Sequence, residues 1–107
     1  MKKQNANFSN PRGGAAIKVQ VIPEAKSSRV KKISSDGLVV LELAAGDASM
    51  NSTLREFLSE LFGIPSNKLE VIEGSNHYDR LVCVLDLTVQ EVSHALQMAI
   101  NQEKKFR

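Results

Sequence analysis

The stretch GDASMNSTLREFLSELFGIPSNKLEVIEG, residues 46–74, changes its hydrophobic period midway, and that change decides the class of fold. Met50, Leu54, Phe57, Leu58 and Leu61 recur at helical spacing, while Arg55, Glu56 and Ser59 fall on another side. An amphipathic helix is predicted here, starting near residues 47–49, covering 50–62 and ending with Gly63 past its C-terminus. Pro65 and Ser66 restart the chain, and LEVIEG then reads as a strand over 69–72. A helix handing over directly to a strand places the chain among domains that mix the two.

The alternation of strand and helix patterns continues on both sides of this stretch. Upstream, IKVQVIP sets Ile17, Val19 and Val21 against Lys18 and Gln20, the period of a strand with one wet face over 17–22, which Pro23 stops. The polar segment EAKSSRVKKISSDG leaves room for a short strand around Val30 to Ile33 that is not counted among the main four. A turn at Asp36 and Gly37 leads into LVVLELA, a strand over 38–44. Downstream, RLVCVLDL is a strand over 80–87 with apolar residues on both faces. TVQEVSHALQMAINQEKK then opens with Thr88 and Glu91 in capping-box spacing and carries Val89, Val92, Leu96, Ala99 and Ile100 on one stripe, a second helix over 88–103. The order β-β-α-β-β-α, with wet faces on the first two strands, implies a two-layer α+β domain with both helices on one side of a single sheet.

At 107 residues the chain fits one domain, expected over 16–107 behind a flexible basic tail over 1–15 that has too few apolar side chains to offset its ordering entropy. The single Cys83 excludes an internal disulfide, and one thiol with two distant histidines cannot close a structural zinc site. No metal, no cofactor and no membrane span are expected, and a reducing cytosol is the expected compartment. The Asn content of the tail and its lack of amphipathic spacing argue against a targeting segment. The net charge of +2 hides an asymmetry: residues 1–32 hold eight Lys or Arg and one acid, and residues 33–103 hold three bases and eleven acids. Blocks of this kind suggest an anionic partner or attraction within the fold, although basic loops are more often simply solvated.

Two segments resemble the YggU-like proteins, a family of small uncharacterised domains. IKVQVIPEAKSSRV is similar to that family's opening strand followed by Pro, Ala and a later aliphatic, here Pro23, Ala25 and Val30. LREFLSELFGIPSNKLEVIEG is similar to its helix, Gly-aliphatic-Pro turn and strand ending in Gly, with Asn51 matching the Asn ahead of the helix core. The resemblance implies a mixed four-stranded sheet backed by two helices. It further implies that the loops around residues 47–51 and 74–80 come together as an anion-binding arrangement. The chain departs from the pattern there, because it lacks the glycine and lysine of the first loop, and in the second only Gly74 is unchanged, with Arg80 standing in for a lysine.

His77, Tyr78, Asp79 and Arg80 invite a proton-transfer or anion-gripping reading, since histidine titrates near neutral pH and guanidinium binds oxyanions. A solvated hairpin tip is the stronger reading: no nucleophile with a neighbouring base is visible, and no catalytic residue is assigned. Cys83, flanked by aliphatics, is expected in the core with a raised pKa. His94 lies opposite the apolar stripe of its helix, and Glu56 and Glu60 form a surface pair assigned to solubility. The remaining candidate is KSSRVKK, with Lys26, Arg29, Lys31 and Lys32 available to phosphates; no aromatic platform accompanies it for reading bases. The leading expectation is a non-enzymatic binding or accessory domain for RNA or an acidic protein, with Arg80 as an auxiliary cation. The alternative is an enzyme acting on a small anion through the loop carrying Asn51, Gly74, His77 and Arg80.

Overall fold

The chain's structure is a computed structural model that describes residues 14–105. The elements follow as β1 (Gly14–Ile22), β2 (Arg29–Ile33), β3 (Val39–Glu42), α1 (Met50–Phe62), β4 (Leu69–Glu73), β5 (Asp79–Leu85) and α2 (Val89–Lys105), with 3-10 turns at Asp47–Ser49 and Ser66–Lys68. The fold is α+β, built on one sheet in the order β2-β3-β1-β5-β4. The sheet is mixed, because β1 pairs parallel with β3 and antiparallel with β5.

Five strands replace the expected four. The extra one is β2, antiparallel to β3, and its register slips between Val30 and Lys32. That β-bulge inserts one residue and breaks the period of two, so RVKKI never alternates cleanly in sequence. β1 also starts earlier than expected, since Ala15 is buried opposite Val84 and draws Gly14 into the strand with it. Gly14 and Ala15, expected at the end of the basic tail over 1–15, thus belong to β1, and residues 1–13 lie outside the described residues.

Registers fix which side chains share a face. Val19 and Val21 of β1, Val39 and Leu41 of β3, Val30 of β2, Leu69 of β4, and Val82 and Val84 of β5 are all buried in one cluster with Met50, Leu54 and Leu58 of α1 and Val92 and Leu96 of α2. The helices also touch one another, so both pack on that face of the sheet. Each fully buried Leu there contributes roughly 1.5–3 kcal/mol relative to exposure.

The helix ends follow local chemistry. Gly63 takes the left-handed conformation at φ 71°, and its N–H bonds to Ser59 O at 2.9 Å. Thr88 Oγ1 accepts from the Glu91 N–H at 3.1 Å while Glu91 Oε1 accepts from the Thr88 N–H at 2.9 Å, a reciprocal capping box ahead of α2. Among the described residues no helix is long and apolar enough to cross a membrane.

Cys83 is not in the core. Val82 and Val84 face the helices, so Cys83 between them faces outward, level with Ala16 on β1 and Glu70 on β4, and is half-buried. Its sequence context was apolar in both phases, which hides the direction in which it points. Burial, and next the Glu70 carboxylate, push its thiol pKa up.

Candidate functional site

The basic segment spans the β1–β2 loop and the edge strand β2. Pro23 ends β1, and the loop is then pinned to the chain beyond β3: Glu24 N–H bonds to Ala45 O, Ala25 N–H to Leu43 O, and Ser28 Oγ accepts from Ala44 N–H at 3.0 Å. Lys26 is exposed on this anchored loop. Arg29 donates through Nε to Glu42 Oε1 at 2.7 Å, a cross-strand pair that holds the Glu42 carboxyl below the usual carboxylate range. Lys31 and Lys32 are exposed at and beside the bulge. On an edge strand, lysines and a bulge also block pairing with a stray strand, a structural role that coexists with binding.

The two segments around residues 47–51 and 74–80 do meet. Arg80, only 6 % exposed, points from β5 toward α1. Its Nε donates to Asn51 Oδ1 at 2.7 Å, its Nη1 to the carbonyls of His77 (2.7 Å) and Asp79 (2.9 Å), and its Nη2 lies 3.3 Å from Met50 Sδ. His77 Nε2 sits 3.2 Å from Asp47 Oδ2, both side chains more than half exposed. Gly74 closes the hairpin by bonding its N–H to Asp79 O at 2.9 Å, and a Cβ there would stand 2.8 Å from Asp79 Cβ. The Asn51, Gly74, His77 and Arg80 constellation is thus real as geometry. Chemically it is a brace, because the guanidinium donors are directed to neutral acceptors inside the protein.

No group of three or more His, Cys, Asp or Glu able to hold a metal occurs among the described residues. A cavity of about 330 Å3 opens at the start of β3 and the β4–β5 hairpin, lined by Lys18, Val19, Leu38, Gly74, Ser75, Asp79, Arg80 and Leu81. Sequence reasoning placed Lys18 on a wet strand face without making it a candidate, and missed Leu38, Ser75 and Leu81. The only signal was the alternation of IKVQV, since the pairing that brings Leu81 beside Lys18 is long-range. No family model matches the chain.

Proposed function

We propose that this chain is a non-enzymatic RNA-binding domain, with the phosphates held by the β1–β2 loop and the edge strand β2. The observation that carries the reading is that Lys26, Lys31 and Lys32 are exposed and have no ion-pair partner among the described residues, whereas Arg80 is committed to internal acceptors. Phosphate contacts need flexible cations on an open surface, which these lysines supply. The enzymatic reading of the 74–80 loop has less support, because its one strong anion ligand is turned inward. Membership of the YggU-like family belongs to the same proposal; in its favour, the two segments that resemble the family's loops are joined by the Arg80–Asn51 and His77–Asp47 contacts. The cytosol is the compartment this reading assigns.

The test is fluorescence anisotropy of a labelled single-stranded RNA at several salt concentrations. Log affinity should fall with log salt at about −0.7 per phosphate contact. Replacing Lys26, Lys31 and Lys32 together by Ala should weaken binding and flatten that slope, with Arg29 left in place to hold Glu42. Absence of binding at low salt removes RNA as the partner and leaves an acidic protein for those lysines.

A further inference from the structure

The sheet face turned away from the helices carries apolar side chains of its own. Ile72 and Leu85 are 42 % and 39 % exposed, and Leu81 and Cys83 lie half-buried beside them. The cavity belongs to this face: Lys18 pairs with Leu81 and Gln20 with Asp79, while the intervening pair, Val19 and Arg80, turns its side chains to the buried side toward the helices. Lys32 shares the face, opposite Val40, which in turn lies opposite Gln20. Strand spacing puts the Lys32 and Lys18 backbones about 12 Å apart, a gap that their long, flexible side chains can narrow to reach phosphates on either side of one base.

The lining of the cavity has the character of a base pocket. Leu38 and Leu81 offer apolar contact to a planar ring, and the Asp79 carboxylate and Ser75 hydroxyl have no side-chain partner among the described residues. An ionised carboxylate only accepts hydrogen bonds, so it selects a ligand edge that donates. At about 330 Å3 the space is at the small end of ligand cavities, suited to one base. Resting on the RNA reading above, we propose that one base of a single-stranded RNA occupies this cavity. Its exocyclic amino group meets the Asp79 carboxylate, and the neighbouring phosphates meet Lys18 and Lys32.

Cytosine and uracil make the sharpest comparison, since they share size and stacking strength while only cytosine presents an amino group at that edge. Labelled C8, U8 and a base-free ribose-phosphate octamer are titrated by anisotropy at low salt. C8 should bind at least about tenfold tighter than the other two, the effect of one charge-assisted hydrogen bond. Asp79→Asn, which adds a donor at the same place, should bring C8 and U8 within about twofold of each other and keep the salt slope. If the wild type binds all three alike, the cavity takes no base, while the salt-dependent phosphate reading stands. If it binds none, the RNA reading falls and the base pocket with it. A cytosine preference that survives Asp79→Asn contradicts the role given to Asp79.

Discussion

Arg80 brings a full charge into a nearly closed site, and the groups that answer it there are neutral: an amide oxygen, two carbonyls and a thioether. Arg80→Met keeps much of the volume but strips Asn51 Oδ1 and those carbonyls of their donor. A loss of roughly 2–4 kcal/mol in unfolding free energy is expected by urea denaturation. His77→Ala should cost well under 1 kcal/mol, because an exposed pair with Asp47 is worth little. Cys83 behaves as a protonated thiol at neutral pH, since burial and then Glu70 raise its pKa. It should label with thiol reagents more slowly than a free cysteine, speed up on unfolding, and label faster in Glu70→Gln. Native labelling at the rate of the unfolded chain would contradict this. Neither residue's orientation was legible in RLVCVL: the run is apolar in both phases, so only the pairing of β5 with β1 tells Arg80 and Val82 from Leu81 and Cys83.

The helices were legible because their ends carry chemistry as well as period. Gly63 supplies the left-handed residue and Thr88 with Glu91 the reciprocal cap, so the predicted bounds of 50–62 and 88–103 lie close to Met50–Phe62 and Val89–Lys105. Thr88→Ala should cost about 0.5–2 kcal/mol, read from the shift in the denaturation midpoint. β2 was not legible as a full strand, because its partner and its bulge, not its own alternation, define it. Its Arg29–Glu42 pair makes a pH-dependent contribution. The folded Glu42 carboxyl titrates below its ordinary value, so the stabilisation is present above that value and is lost as pH falls through the folded one. The difference in melting temperature between wild type and Arg29→Gln should therefore be largest near pH 7 and shrink toward about pH 3.

At the scale of the whole molecule, a single core holds two helices against one side of the sheet, and among the described residues no helix packs on the other side. The charge asymmetry read from the sequence reaches that other side through Lys18 and Lys32, with Lys26 and Lys31 on the adjoining loop and bulge. The candidate site was half legible. The lysines stood together in KSSRVKK, whereas the cavity is assembled from β1, the start of β3 and the β4–β5 hairpin, which are distant in sequence. The decisive measurement is the salt dependence of single-stranded RNA binding by the wild type and by the Lys26, Lys31, Lys32 triple Ala variant. Three phosphate contacts should give the wild type a log–log slope near −2 from these lysines, and the variant a slope flatter by about that amount. RNA bound with the same slope by both proteins, or bound by neither at low salt, would contradict the assignment of these lysines as the phosphate-binding surface.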